Sequence, residues 1–295
     1  VTQPSIVRPD RSDTGAFRDF HRFQHGRFDI TVLSDGYISI PSETVVSDAT
    51  PPQREDILRR LAAHADLIDV ATNIPLIRAG DDVVIVDIGA GMKYQPTDGR
   101  LADNLAACRV DPSTVTKVVF THAHPDHIWA TLDEDGNLRF PNATYYVGMA
   151  EWEFWMDKDY QTSMPSVLHD FARGAQRDLE AIADCVVFLR PGDEVIAGVR
   201  ALDTAGHTPG HLSFELSGGE GLIITADATP NQIASLEHPE WKFGYDTLPD
   251  VAVRNRVRLV DRAATDRVKL LGYHWAYPGV GYVERHQGAT RFTAA

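Results

Sequence analysis

Residues 121–127, Thr-His-Ala-His-Pro-Asp-His, place three imidazoles and a carboxylate directly behind the strand-like segment Lys117-Val118-Val119-Phe120. Packing does not account for such a run, because buried polar and ionisable groups are costly unless something pairs with them. Imidazole and carboxylate are borderline-to-hard ligands that suit zinc, iron, manganese or cobalt. Side chains two apart on an extended segment point the same way, so His122 and His124 can converge on one ion. Asp126 and His127, beyond Pro125, then turn toward another. The run predicts two half-sites, two divalent metal ions and metal-activated water.

Further candidate ligands follow downstream. His207 sits in Gly206-His207-Thr208-Pro209-Gly210-His211, Asp227 in Thr225-Ala226-Asp227 and His274 in Gly272-Tyr273-His274, each at or just past the end of an apolar strand-like stretch. The hydrophobic fraction of 43% and charged fraction of 24% are those of a soluble globular protein, and no apolar run is long enough to span a membrane. A formal net charge of -14 argues against nucleic acid, whose binding depends on Lys and Arg neutralising phosphates. It favours an uncharged small-molecule substrate. Cys108 and Cys185 lack metal-type or disulfide-framework spacing and read as small buried apolar residues. The remaining histidines, His21, His25, His64, His169, His238 and His286, are expected to face solvent or cap turns. A start at Val1 fits a processed precursor, a trimmed chain or a partial sequence, so the compartment stays open between cytoplasm and periplasm or secretion after signal removal.

The periodicity predicts a polar N-terminal arm over residues 1–18 and a single domain over 19–295. Phe28 to Ile40 reads as two strands joined by a turn at Asp35-Gly36. A helix is expected over Pro52 to Ala65, strands over Pro75 to Arg78 and Val83 to Asp87, a helix over Leu101 to Cys108 and a strand over Val115 to Phe120. Residues 150–184 are mostly helical and longer than a connector requires, which suits a covering near the metal site. Strands are expected at Cys185 to Leu189, Val195 to Leu202, Leu212 to Leu216 and Leu222 to Thr225, then a helix over Val251 to Thr265, with Val268 to Gly272 ending the core. Two groups of strands separated by helices predict an α/β fold with one sheet from each half. Of the aromatics Trp152, Phe154, Trp155, Trp241, Phe243, Trp275 and Tyr277, we take Trp152, Trp155 and Trp275 as candidates to line a substrate pocket. The polar arm and the aromatic-rich helical region suit a homodimer.

The ordered set His-x-His-x-Asp-His, Gly-His-Thr-Pro-Gly-His, a lone Asp after a strand and a late His, with Asp87-Ile88-Gly89 ahead of it, resembles the metallo-β-lactamase fold superfamily across nearly the whole chain. That resemblance implies an αββα four-layer sandwich. It implies that His122, His124 and His207 hold one metal, that Asp126, His127 and His274 hold the other, and that Asp227 bridges them. It also gives Asp126 a proton-relay role beside ligation. Asp87, Thr121 and His211 are expected to orient ligands from behind. Two cations about 3.5–4 Å apart would clamp a bridging hydroxide and polarise a carbonyl or phosphoryl oxygen.

Leu33-Ser34-Asp35-Gly36 and the ending Gly272 to Arg285 look like the group containing methyl parathion hydrolase and N-acyl homoserine lactonases. Flavodiiron oxygen reductases carry Glu where this chain has His124, nucleic-acid-processing branches add basic or clamp domains, and glyoxalase-type thioesterases carry a basic C-terminal region where this chain has only Arg254, Arg256 and Arg258 on a helix. The expected activity is opening of a lactone or cleavage of a carboxylic ester by a metal-bound hydroxide, with zinc as the first choice of metal and iron, manganese or cobalt as others. The alternatives are a phosphotriesterase of the same fold and a non-catalytic metal-binding scaffold. In one lactonase branch a Tyr lies three residues after the bridging Asp; Pro230 stands there in this chain.

Overall fold

The structure, a computed structural model, describes residues 20–286 and 288–295. The arm expected over residues 1–18 lies outside them. β1 (Phe20–His25), β2 (Phe28–Pro41), β3 (Leu67–Ala79), β4 (Asp82–Val86), β5 (Lys117–Val119), β6 (Thr144–Gly148) and β7 (Val186–Leu189) lie side by side in that order. They pair antiparallel as far as β4 and parallel from β4 to β7. The second sheet takes β8 (Glu194–Ile196), β9 (Val199–Asp203), β10 (Leu212–Leu216), β11 (Leu222–Ile224), β12 (Lys269–Leu271), β13 (Val280–His286) and β14 (Ala289–Ala294), again in chain order. Its pairs are antiparallel except β11 with β12. The helices are α1 (Glu43–Val46), α2 (Pro51–Arg60), α3 (Leu101–Ala107), α4 (Pro125–Ile128), α5 (Met149–Trp155), α6 (Tyr160–Ser163), α7 (His169–Ala181), α8 (Ala234–Glu237) and α9 (Pro249–Asp266).

Strand periodicity of two explains the layering. Val84 and Val86 of β4, with Phe28, Ile30 and Val32 of β2, share one buried cluster with Phe214 and Leu216 of β10, Ile224 of β11 and Leu271 of β12. Their alternates Val83 and Ile85, with Leu33, pack instead with Leu101 and Leu105 of α3 and Ala172, Ala175 and Leu179 of α7. On the far side of the second sheet Ile223 and Leu270 join Leu259, Val260 and Ala263 of α9. The result is the expected α/β/β/α sandwich. Each fully buried aliphatic side chain contributes about 1.5–3 kcal/mol relative to exposure. Among the described residues no helix is long and apolar enough to cross a membrane.

Three boundary expectations are corrected. Phe28 to Ile40 is one bent strand, with a register shift between Ser34 and Tyr37. Asp35 explains the bend: its buried carboxylate accepts from Leu101 N at 2.7 Å and Ala90 N at 3.3 Å, which pins the irregular backbone instead of turning it back. The hairpin that opens the described chain lies earlier, between β1 and β2. Val195 to Leu202 is divided into β8 and β9, which pair with each other across the turn at Gly198. The core does not end at Gly272, because β13 and β14 extend the second sheet and Val283 joins the cluster under α9. His25 also departs from expectation: it is buried, with Nε2 at 3.3 Å from the Leu216 carbonyl.

The long helix α9 begins against the loop that carries His207. Gly206 has φ +135°, and a Cβ there would lie 2.2 Å from the backbone nitrogen of Ala252. Its carbonyl accepts from Leu248 N at 2.8 Å, so the close approach cannot relax by sliding the helix without breaking that bond. Gly206→Ala is expected to cost about 2 kcal/mol or more through backbone strain, read as a lower urea midpoint at full metal loading. An unchanged midpoint would refute this account of the contact.

Candidate metal centre

Each candidate ligand is delivered by the carboxyl end of a strand. Asp87 follows β4, His122 and His124 follow β5, His207 follows β9, Asp227 follows β11 and His274 follows β12. β4 and β5 run parallel, as do β11 and β12, so these ends gather on one edge of the sandwich, the usual place for a crevice in open α/β sheets. Pro125 at the first position of α4 turns the chain immediately after His124, and that sends Asp126 and His127 inward from a new direction.

The structure brings His122, His124, Asp126, His127, His207, Asp227 and His274 together. Donor atoms of His122, His124 and His207 lie within 4.8 Å of one another, as do those of Asp126, His127 and His274, and those of His122, His127 and Asp227. In the first group His124 Nδ1 is 3.0 Å from His122 Nε2 and 2.9 Å from His207 Nε2. In the second His274 Nε2 is 3.2 Å from Asp126 Oδ2, and His127 Nε2 is 3.5 Å from the same oxygen. Asp227 touches both groups: Oδ2 lies 3.2 Å from His207 Nε2 and 3.4 Å from His274 Nε2, and Oδ1 lies 3.5 Å from His127 Nε2.

The outer nitrogens show which way the inner ones point. His127 Nδ1 donates to Asp87 Oδ2 at 2.8 Å, His207 Nδ1 to Asp246 Oδ1 at 3.1 Å and His274 Nδ1 to the Ala71 carbonyl at 2.9 Å. His122 Nδ1 faces Thr121 Oγ1 at 3.0 Å, and that hydroxyl donates onward to Asp87 Oδ2 at 2.8 Å. With the proton fixed on the outer nitrogen, a neutral ring turns a lone pair inward. Inward lone pairs about 3 Å apart repel unless a cation lies among them. His127 Nε2 and Asp227 Oδ1 are buried without a hydrogen-bond partner. These residues fit a pair of divalent cations, and nitrogen with carboxylate oxygen is a donor set that zinc accepts.

Electrostatics agree. Burial and the neighbouring imidazolium charges hold His122 and His124 well below the ordinary histidine range, so both rings are neutral, the form a metal ligand needs. Burial would raise the Asp227 carboxyl, but His274, His127 and His207 outweigh it and hold it well below the ordinary range. Burial lowers His274, yet Asp227 and Asp126 overcome this and raise it well above its usual value. A proton on His274 occupies the place that a bound cation would take, so binding of a metal there would release it.

Asp87, Thr121 and His211 stand behind the cluster. Asp87, in a left-handed backbone conformation with φ 58°, accepts from Thr121 N at 2.8 Å as well as from His127. His211 Nδ1 pairs with Thr204 Oγ1 at 2.9 Å, and its Nε2 accepts from Asp227 N at 3.2 Å. Other supports escaped the sequence. Asp246 is held by Arg256 Nη2 at 2.9 Å while it orients His207. Tyr273 lies on His127 with ring centroids 4.0 Å apart and donates its hydroxyl to the Asp126 carbonyl at 2.6 Å. Glu151, buried at the start of α5, accepts from Ala123 N. Only the adjacency of Tyr273 to His274 was available as a signal; Asp246, Arg256 and Glu151 are single residues far from the motif.

The cavity over the cluster is lined by Ile38, Ile40, Val70, Tyr94, Phe171, Phe243 and Tyr245 beside His124, Asp126, His207, Asp227 and His274. The three tryptophans expected there are placed elsewhere. Trp155 is fully buried, with Nε1 bonded to Glu151 Oε1 at 2.6 Å. Trp275 is fully buried against Phe292, its Nε1 bonded to the Thr229 carbonyl at 2.8 Å. Trp152 packs on Phe188 of β7. An indole N–H needs an acceptor when buried, and each of the two buried rings finds one in the core. Phe243, from the wider set of aromatics, does reach the cavity, and from the helical stretch 150–184 it is Phe171 that does, its ring 5.7 Å from that of His124.

Residues 67–274 match the family model described as Metallo-beta-lactamase superfamily. The N-acyl homoserine lactonase AttM of Agrobacterium fabrum is 31% identical over 156 residues, 49% of this chain and 51% of that protein. An N-acyl homoserine lactonase of Bacillus sp is 27% identical over 140 residues, 45% of this chain and 46% of that protein. The chain spans about half the length of the curated relatives it matches. Among solved structures, AidC, a dizinc quorum-quenching lactonase in complex with a product, superposes with a TM-score of 0.85 at 25% identity, over 94% of this chain and 97% of that one. Hydrolase AbOPH in the beta lactamase superfamily superposes with a TM-score of 0.86 at 26% identity, over 94% and 97%.

If the cluster holds two divalent ions, elemental analysis finds two equivalents per chain. Stripping them with a chelator then lowers the melting temperature, since a ligand at 100 times its Kd stabilises by about 2.7 kcal/mol. Two equivalents of zinc restore it. A melting temperature indifferent to chelation would exclude a resident pair.

Proposed function

The chain belongs to the metallo-beta-lactamase superfamily, and on that premise we propose that it is a dinuclear metal-dependent hydrolase that opens a lactone ring or cleaves a carboxylic ester. The observation that carries the reading is the convergence of seven side chains whose inner lone pairs and carboxylates face one another beneath an apolar cavity. His122, His124 and His207 would hold one cation, Asp126, His127 and His274 the other, with Asp227 between them. The proposed metal is zinc, the ion in AidC. When bound, the pair would polarise the substrate carbonyl and lower the pKa of water toward neutrality.

The chain's own groups do the rest. Ile38, Ile40, Val70, Phe171 and Phe243 exclude water and receive the apolar part of the substrate, while Tyr94 and Tyr245 add phenol groups to the same wall. The tyrosines of this cavity come from positions 94 and 245, and position 230 is Pro. Water adds to the ring carbonyl, the ring C–O bond breaks, and the proton passes from the water to the leaving ring oxygen, giving a hydroxy acid. Asp126 is the proposed carrier of that proton. Its carboxylate lines the cavity, and against the opposing effect of burial His127 and then His274 hold the carboxyl below the ordinary range. A neutral ester or lactone enters a strongly acidic protein more readily than a phosphodiester does.

Side-by-side kcat/KM values for acyl homoserine lactones, aryl esters and paraoxon-like triesters test the substrate class. Lactone or ester turnover should dominate; triester turnover alone at full metal loading would overturn the choice, and inactivity toward all three classes would favour a non-catalytic metal-binding role. Asp126→Asn should lower kcat by roughly 10²–10⁴-fold, the usual worth of a positioned acid–base group, at a metal content matched to the parent. Near-parental turnover at that metal content would remove Asp126 from the proton path.

A further inference from the structure

Glu151 lies on α5, outside every ligand-bearing loop, and its carboxylate is buried. Oε1 accepts from Ala123 N at 2.9 Å and from Trp155 Nε1 at 2.6 Å. Oε2 accepts from Thr208 Oγ1 at 2.6 Å and from Gly210 N at 3.1 Å. Ala123 stands between His122 and His124; Thr208 and Gly210 follow His207. One carboxylate thus ties together the two chain segments that carry the first group of inward nitrogens. The approach is close: a Cβ at Gly210 would lie 2.0 Å from Glu151 N, and Leu212 N donates to the Thr121 carbonyl at 2.9 Å along the same seam. The hydrogen-bond partners of its carboxylate among the described residues all lie on those two segments or on α5 itself. The second group has supports of its own in Tyr273 and the Ala71 carbonyl, while Asp87 serves His127 directly and His122 by way of Thr121.

We propose that Glu151 is a positioning residue that sets the spacing of His122 and His124 against His207, and that it thereby governs cation binding at the first half-site selectively. The proposal rests on the dinuclear reading of the cluster. A buried carboxylate can take four donors because both oxygens accept; an amide in its place offers one accepting oxygen and turns N–H groups toward the Gly210 N–H. The three nitrogens would then lose their common reference, and a site that must hold its donors to within about 0.5 Å loses affinity.

The test is a zinc titration against a chromophoric chelator on the whole chain, comparing the parent, Glu151→Gln and Thr208→Val, with His207→Ala to mark which binding step belongs to the first half-site. Glu151→Gln should weaken that step by roughly 10- to 100-fold, the usual cost of losing a group that orients ligands, and leave the other step unchanged. Thr208→Val, which removes one of the four donors, should weaken the same step by a smaller factor. Cobalt-substituted protein gives a second readout: the visible bands assigned through His207→Ala should shift in Glu151→Gln, and the others should not. Equal loss at both steps, or no loss at either, would overturn the proposal. If circular dichroism shows Glu151→Gln to be unfolded, the Thr208→Val titration decides alone by the same criterion. A parent chain that binds fewer than two zinc ions would instead refute the dinuclear reading, a failure visible before any Glu151 variant is compared.

Discussion

The fixed outer hydrogen bonds of the imidazoles are the constraint on which the centre depends. A histidine ring can present a lone pair or a proton to the cavity, and the choice is made on the far side of the ring. Asp87, Asp246, the Ala71 carbonyl and Thr121 make it by accepting from, or facing, the outer nitrogens of His127, His207, His274 and His122. Were those acceptors replaced by donors, the same four imidazoles in the same positions would point protons inward and repel a cation. The acceptors are therefore as much a part of the chemistry as the ligands.

The sandwich supplies these acceptors at low cost because they are mostly groups that the fold must satisfy anyway. Ala71 lies in β3 beside the register shift of β2, where its carbonyl turns toward the His274 side chain. Asp87 follows β4 with its N–H still donating to the Val119 carbonyl of β5 at 2.8 Å, and its side chain carries the pairing one step further by accepting from the Thr121 backbone. Asp246 is neutralised by Arg256, which reaches from α9 and also donates to the carbonyls of Ala228 and Trp241. Removing one member of such a buried pair is expected to be far more damaging than the pair's net worth, because the survivor is left without a counter-charge. The helix layer over the second sheet is in this sense tied to the metal centre through one guanidinium.

Legibility in the sequence followed locality. The side chains that converge could be read because short-range spacing on an extended chain fixes direction, and because four separate segments each ended an apolar strand with a His or an Asp. The layered architecture was legible in the two groups of strands separated by helices, and the continuous apolar run Val83 to Val86 is buried on both faces, as a strand between two layers requires. Asp246, Arg256 and Glu151 were not legible: a lone charged residue is ordinarily a surface group, and only the tertiary fold buries these three. The bend at Asp35 misled because Asp-Gly is the strongest short-range hairpin signal, and it was overridden by two backbone donors from residues 90 and 101. β13 and β14 were missed since Val280 to Ala294 alternates weakly and carries charge on its exposed face, as an edge pair should.

The misplaced tryptophans expose a division between the floor of the cavity and its foundations. Large indoles near a polar cluster look like substrate contacts, but an indole fixed by an N–H bond is better suited to hold backbone than to meet varied ligands. Trp155 does this through Glu151, and Trp275 through the Thr229 carbonyl two residues beyond Asp227. Most of the wall, Ile38, Ile40, Val70, Phe171 and Phe243, has no polar side-chain atoms and comes from elements on different sides of the crevice, with the phenols of Tyr94 and Tyr245 beside it. Such a wall discriminates weakly, since a methylene more or less in an apolar pocket is worth only about 1–3 kcal/mol. On the proposed hydrolytic reading, chemical selectivity would then come from the polar floor and the two phenols, where a polarisable carbonyl would sit, while the apolar wall would grade substrates by the size of the part attached to it.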